Sequence, residues 1–349
     1  MSDADERSPP EDLQSALSRL DPLADASAQL HEILLLGLDR LPLPGSGATL
    51  KRWQALATVA AHNLSLVKLY EGHTDALAIL AELAGPGMSA AKSNGDAWGV
   101  WAAEGAHARV TITPLYGNAV LLDGTKSWCS GAQTLSHGLL TAWHADGQGP
   151  QLVRVAMHQP GVSASAASWQ AVGMSGSASV DVTFTQADGH CVGQIGDYIS
   201  RPGFWQGGAG IAACWYGGAL GLGLALRQAL VESLPAARGA FRLAALGKVD
   251  LALHSTAAVL REAGQWIDDN PLGDASTVAL RARLAAEGCA KTVLDEVGRA
   301  LGAATFCRNA RFARTAADLP VFVRQSHAER DFVALAERVI SEGGQAWPL

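Results

Sequence analysis

His327, Glu329 and Asp331 place an imidazole and two carboxylates within five positions. An imidazole titrates near neutrality, so His327 suits proton transfer. The same residues also read as a helix start, with Ser326 as N-cap and Glu329 closing a Ser-x-x-Glu box. A second group is Trp128-Cys-Ser130. An indole offers a flat wall to a planar ring, and a hydroxyl offers a partner to a buried ring nitrogen or carbonyl. A core Trp beside a turn Ser is the plainer alternative. Arg238, with Arg242 as its alternate, has the planar fork that binds phosphate, or is a solvated Arg near a helix N-terminus. Gly208-Ala-Gly-Ile-Ala-Ala213 satisfies a loose dinucleotide pattern. Such a pattern needs a preceding buried strand, and Arg201–Gln206 is not one; helix packing by small residues explains it. No H-E-x-x-H, G-x-S-x-G or P-loop occurs.

The elements that must position these residues change character along the chain. Residues 1–25 are polar and are expected to be disordered or loosely ordered. Residues 26–96 carry a helical period (Leu50, Trp53, Leu56, Ala57, Ala60, Ala61), with a turn at Leu41–Gly47 and breakers at Pro86–Gly95. Residues 97–195 hold short apolar runs punctuated by Gly117-Asn118, Asp123-Gly124 and Asp146-Gly147, the pattern of an antiparallel barrel or sandwich. Gly124–Ala132 and Trp169–Phe184 read as strand segments. Residues 203–349 return to helix, with helices expected at 209–234, 237–267, 276–301 and 320–342, parted by Pro235, Pro271 and Gly302. Helix, then strand, then helix is an α+β order.

Composition narrows the partners. The 349 residues are 48% hydrophobic and 17% charged, with net charge -7. Nucleic acid and anionic membrane need basic patches, which are missing. Five scattered cysteines without a C-x-x-C pair argue against a disulfide framework and a zinc site, so no metal is expected. The polar N-terminus lacks a signal-peptide core, and uninterrupted apolar runs such as Ile33–Leu38 are too short to span a bilayer. A cytoplasmic protein is expected.

Gly124-Thr-Lys-Ser-Trp-Cys-Ser-Gly-Ala132, the Gly-Met-x-x-Ser stretch at 173–177, Arg238-Gly-Ala-Phe241 and Ala300–Phe306 together resemble the acyl-CoA dehydrogenase superfamily. The resemblance implies an N-terminal helical domain, a middle antiparallel β-barrel and a C-terminal four-helix bundle, with FAD as cofactor. It implies that Trp128 packs on the flavin and Ser130 bonds its ring. Met174 and Ser177 would border substrate or cofactor. Arg238 and Phe241 would touch the FAD of a neighbouring subunit, Gly302 would let the FAD approach, and Gln325 and His327 would contact FAD. Trp205, Trp215 and Tyr216 either wall a substrate cavity or pack in the core, with equal grounds for each. Departures are as informative. Laid without gaps on the family, Arg314–Arg330 puts Val323 where the catalytic Glu belongs, and valine cannot take an α-proton. The other family position for the base falls within Gly203–Leu230, which has no Asp or Glu. Arg299 replaces a frequent Gln and Ala103 a frequent Thr. Arg308-Asn-Ala-Arg311 is similar to a stretch in the family's hydroxylating branch. The expectation is an FAD-dependent oxidoreductase acting on a CH-CH or related group of a small-molecule or acyl-thioester substrate, but not a standard acyl-CoA dehydrogenase, with His327 as the catalytic residue and a homodimer or homotetramer as the assembly. The alternatives are a non-catalytic binding or assembly module and a flavin-dependent hydroxylase.

Overall fold

The computed structural model describes residues 9–83, 95–105, 108–341 and 347. Helices α1 (Pro9–Arg19), α2 (Ala26–Leu35), α3 (Thr49–His62) and α4 (Leu64–Leu83) precede seven strands. These are β1 (Trp98–Trp101), β2 (Val110–Pro114), β3 (Ala119–Cys129), β4 (His137–His144), β5 (Gln151–Ala156), β6 (Val162–Ser165) and β7 (Val180–Val192). Helices α5 (Gly210–Glu232), α6 (Ala240–Asp269), α7 (Ser276–Arg308), α8 (Ala310–Phe322) and α9 (Glu329–Ser341) follow, after single-turn pieces at Asp197–Ser200 and Gly203–Gly208. The order is α+β, as expected. Residues 9–19 form a helix where loose chain is expected: Leu13, Ala16 and Leu17 recur at helical spacing and are buried. Residues 1–8 and most of the Pro86–Gly95 breaker lie outside the described residues.

The chain forms two compact units that cut across the linear boundaries. The expected domain at 26–96 is divided: α2 and most of α4 belong with the strands, and α3 with the later helices. In the first unit, β2, β3, β7, β5 and β4 pair in a closed ring, with β1 on β4 and β6 on β7. The ring is antiparallel except where β2 meets β4 in parallel, and β1 also runs parallel to β4. This corrects the all-antiparallel expectation for a geometric reason: directions cannot alternate around an odd number of strands. Asp123-Gly124, read as a turn, is a bulge inside one long β3. Gly124 has φ +117, the register slips there, and a Cβ would stand 2.2 Å from the Arg109 carbonyl oxygen. Helix α4 closes one side of the unit, where Ala76, Ile79 and Leu80 pack on Trp98, Leu139, Leu152 and Val192.

The second unit is helical. Asp268 of α6 caps α3 from a distance. Its carboxylate accepts from the Gly47 and Thr49 amides at 3.0 and 2.9 Å and from the Thr49 hydroxyl at 2.6 Å. Helix α5 lies close on α3 because Gly217 has no side chain: a Cβ there would sit 2.3 Å from the Ala57 carbonyl oxygen. Gly208–Ala213 belongs to consecutive helices with no strand before it, so the loose dinucleotide pattern is packing. The helix expected at 320–342 is two helices: α8 ends at Phe322, with Pro320 inside its last turn, and α9 starts at Glu329. Gly302 does not end a helix but kinks α7, at φ 68 and ψ -179. Gly203–Glu232 and Ala240–Asp269 are each long and apolar enough to cross a bilayer by length and composition, correcting the expectation drawn from uninterrupted runs. The most apolar stretch of the first is 72% buried within the protein, that of the second 22%.

Candidate functional site

In the barrel unit, β3 ends in unusual backbone. Trp128 has φ 65, a left-handed conformation costly for a bulky residue, and its side chain is 58% exposed. Opposite it the chain from Trp169 to Ser179 is not the strand expected there. It is a turn around a short 3-10 segment, Ser175–Ser177, with Met174 at φ 59 and Ala178 at φ 38. Three non-glycine residues in the left-handed region thus gather around the end of β3, the kind of clustering that marks functional sites. The two loops are tied together. Gly131 N–H donates to the Ser177 carbonyl at 2.9 Å. Ser130 and Ser179 hydroxyls lie 2.7 Å apart, and Ser179 continues to Ser177 at 3.1 Å. Ser177 donates to the Met174 carbonyl at 2.9 Å, and the Trp169 indole stands edge-on to Trp128 at 6.4 Å. The result is an exposed indole beside a chain of hydroxyls whose donors run one way, from Ser130 through Ser179 and Ser177 to the Met174 carbonyl.

Behind this face lies a group that the sequence reading overlooks. Lys126 is fully buried. Its Nζ donates to Glu104 Oε1 at 2.8 Å, to Thr141 Oγ1 at 2.7 Å and to the Thr141 carbonyl at 3.0 Å. Burial pushes the Lys126 ammonium below its usual range against the pull of Glu104. Burial would raise the Glu104 carboxyl, but its bonds to Lys126 and Thr141 hold it below the usual range. Three bonds satisfy all three protons of the ammonium, so Lys126 anchors β3 to β4 two residues before Trp128. Burial pushes the Cys129 thiol up, leaving it inert. The Trp101 indole donates to the Ser130 carbonyl at 3.2 Å and fixes that loop from below.

In the helical unit, the turn between α8 and α9 carries the other predicted residues. Val323 is buried, and no carboxylate replaces it in the turn. Gln325 is exposed, and its carbonyl accepts from Arg283 at 3.2 Å. The His327 ring is exposed, with Nδ1 3.2 Å from Asp331 Oδ1. A carboxylate only accepts, which assigns the proton to Nδ1 and leaves Nε2 facing outward. Asp331, not the expected Glu329, also takes the His327 amide, at 3.2 Å, while Ser326 accepts from Ala328 N–H at 3.1 Å. Arg283 reaches Asp331 at 4.0 Å and the Gly208 carbonyl at 3.3 Å, and lies over the buried Trp215 ring at 5.3 Å. Buried Glu287 holds the turn through Arg324 at 3.2 Å and pairs with Lys291 at 2.6 Å. Burial would raise its carboxyl, but Lys291, Ser326 and Arg324 hold it below the usual range.

The remaining predicted residues stand apart. Arg238 donates Nε to the Leu230 carbonyl at 3.0 Å, and Phe241 is 92% exposed at the start of α6. Among the described residues no recorded contact links Arg238, Phe241 or Gly302 to His327. Trp215 is core, and Trp205 stacks near Arg338 at 6.0 Å.

No family model matches the sequence, and no curated protein matches it. Solved structures do. Indole-bound TdsC from Paenibacillus, a dibenzothiophene monooxygenase, superposes with a TM-score of 0.81 at 18% identity, covering 98% of each chain. Methanesulfinate monooxygenase MsuC from Pseudomonas fluorescens gives 0.78 at 17% identity over 97% of this chain and 98% of that one. A nitrososynthase from Micromonospora carbonacea gives 0.77 at 17% identity over 95% of each. TdsC has been solved with FMN bound and with FMN and indole together. The likeness runs the length of both chains, and what it establishes is that this protein has the acyl-CoA dehydrogenase-like fold of these enzymes.

Proposed function

We propose that this protein is a flavin-dependent oxidoreductase of the oxygen-inserting kind rather than a dehydrogenase of acyl thioesters. The observation that carries the reading is the strained, exposed Trp128 beside the Ser130–Ser179–Ser177 hydroxyls. A planar heterocycle with polar edges fits that face, since it covers the indole and meets the Ser130 hydroxyl oxygen, which is left to accept. When bound, a flavin would supply two-electron chemistry and a reaction with oxygen. This chain would supply the aromatic wall from Trp128 and ring hydrogen bonds from Ser130. His327, its ring fixed by Asp331, would hold or release a proton at Nε2. The hydrophobic Val323 argues against α-proton removal, and the monooxygenase names of the structural neighbours favour hydroxylation or a related oxygen transfer. That preference takes up the hydroxylase alternative. A non-catalytic module would not need to maintain the strain at Trp128.

The form of the flavin turns on Arg238. FAD, the expectation from the family resemblance, would use Arg238 and Phe241 on its diphosphate and adenine from a second subunit. The FMN-bound neighbour speaks for the shorter cofactor. Self-association is part of the same reading: Phe241, Leu243 and Leu251 expose an apolar face on α6. The test is an absorption spectrum after incubation with FMN or FAD and gel filtration, with Arg238→Gln in parallel. Flavin bands travelling with the protein are expected. Loss of FAD but not FMN in the variant would assign Arg238 to the diphosphate. Colourless protein with both flavins would overturn the proposal.

A further inference from the structure

The helical unit contains a cavity of about 710 Å³, within the size range of small-molecule sites. It is bounded by α1, the C-terminal end of α3, the second half of α5 and the start of α8, and neither the Trp128 face nor the His327 turn contributes a lining residue. Its walls are largely apolar, with Leu17, Leu220 and Phe312 prominent. Its charges are one-sided. Arg227 and Arg311 line it, and no Asp or Glu does among the described residues, in a chain whose net charge is -7.

The two cations are differently held. Arg311 donates Nη2 to the Ala61 carbonyl at 3.0 Å, which pins its guanidinium at the end of α3. Arg227 is exposed, with no side-chain partner among the described residues. The acid whose charge reaches this wall is Asp21, which acts on His62. Asp21 accepts from the Leu23 amide at 2.9 Å, and Glu232, a turn beyond the cavity on α5, accepts from Gln228 at 2.6 Å. His62 also lines the cavity. Burial first, and then the charge of Arg311, bring its pKa down to about 4, so near neutral pH it adds an aromatic edge rather than a charge. The volume is left by small residues. Gly221, Ala225 and Ala61 line it where larger side chains would fill it, and Gly221 sits so close to α3 that a Cβ would be 3.2 Å from the Ala61 carbonyl oxygen.

A cationic end on an apolar trough is complementary to a molecule with the same two parts. A free inorganic anion would leave the apolar walls unused, and a neutral hydrocarbon would leave the guanidinium of Arg227 unpaired. We infer that this cavity is a second small-molecule site, for an amphipathic anion: an apolar body ending in a phosphate or carboxylate, held by Arg227 and Arg311. The inference does not depend on the flavin reading, since its residues are separate from the Trp128 face and from His327.

Calorimetric titration with octyl phosphate, octanoate, octanol and inorganic phosphate tests it. Octyl phosphate or octanoate is expected to bind at least about tenfold more tightly than octanol or phosphate, the scale of a charge-assisted bond. Arg227→Gln and Arg311→Gln should each remove about that factor. Ala225→Leu should block binding by filling the volume while leaving both charges in place, and it guards against misfolding of the Arg311 variant. Equal binding of octanol and octyl phosphate would overturn the inference, as would affinity unchanged in Ala225→Leu. Displacement of octyl phosphate by FMN, one for one, would also overturn it, because the cavity would then belong to the cofactor.

Discussion

The two units hold their candidate residues by opposite means. At the end of β3, geometry comes from backbone: a bulged strand, three left-handed non-glycine residues and short hydroxyl contacts, with the Lys126–Glu104 pair beside them. Around His327 it comes from charge: Arg283, Asp331, Glu287, Arg324 and Lys291 hold a turn between two helices. Backbone strain holds a side chain in one pose at a cost in stability that does not vary with salt or pH. A charge network is adjustable, and it weakens when a carboxylate is protonated or salt screens its exposed members. The first suits a rigid wall for a bound ring, the second a group that must exchange protons.

The largest expected effect falls on Lys126, whose ammonium is fully buried in the barrel. Lys126→Met removes the cation but leaves Glu104 and Thr141 facing its place. Removing one partner of a buried pair costs about 3–5 kcal/mol, and the partial exposure of Glu104 puts this case near the lower end. Denaturant unfolding should show the loss, and adding Glu104→Gln should recover part of it. An unchanged midpoint in Lys126→Met would mean that the barrel face needs no ionic support, and the contrast between the units would become absolute.

Next in size is His327. Its removal in His327→Ala should lower turnover by about a hundredfold if it handles a proton, with little change in flavin binding. Asp331→Asn keeps the ring but no longer fixes the Nδ1 proton, so a smaller loss of turnover is expected. Equal activity in wild type and His327→Ala would leave the turn a structural cap and nothing more.

Much of the barrel was legible because short apolar runs parted by turn signals mark strands: the runs at Val110, Ala119, Gly138, Leu152 and Val180 all lie in strands. Trp128 and Ser130 were legible as types, but the left-handed backbone that exposes the indole was not, since no propensity favours Trp there. Asp123-Gly124 misled because the same dipeptide serves a hairpin turn and a bulge. The break after α8 was half legible: the Ser326 cap marks the start of α9, but the helix expected at 320–342 ran through it, because Pro320 reads as a helix start and here sits in a last turn, with the break at Val323–Ala328. The Lys126–Glu104 pair and the division of the N-terminal helices between units depend on contacts between residues far apart in sequence, and a local pattern carries no record of those.

A smaller effect is expected at Trp128, and its sign separates function from stability. Trp128→Gly should relieve a left-handed conformation worth about 1 kcal/mol or slightly more, and the exposed indole gives up little packing in return. The variant should therefore be as stable as wild type or more so, while its flavin affinity falls about tenfold through loss of the aromatic wall. Trp128→Phe keeps a ring and should fall between. A variant that loses stability and flavin together would show that the indole is packing rather than a wall.

The smallest effect concerns acid. His62 has a folded pKa of about 4 against 6.5 when unfolded, so between those values the unfolded chain binds the extra proton. Stability in the helical unit should therefore fall as pH drops from 6.5 towards 4. The barrel's Glu104 has a depressed carboxyl, whose contribution is present above its unfolded value, near 4.5, and is lost only as pH falls below it. Burial lowers His137 on β4 in the same sense but by less, so acidification should loosen the helical unit more. Hydrogen exchange in the two units at pH 7 and pH 5 checks the difference. His62 is partly open to solvent, so the shift should be modest, and His62→Gln should abolish most of it. Loosening of the barrel strands beyond that of α3 and α5 would reverse the assignment of charge-based support to the helical unit.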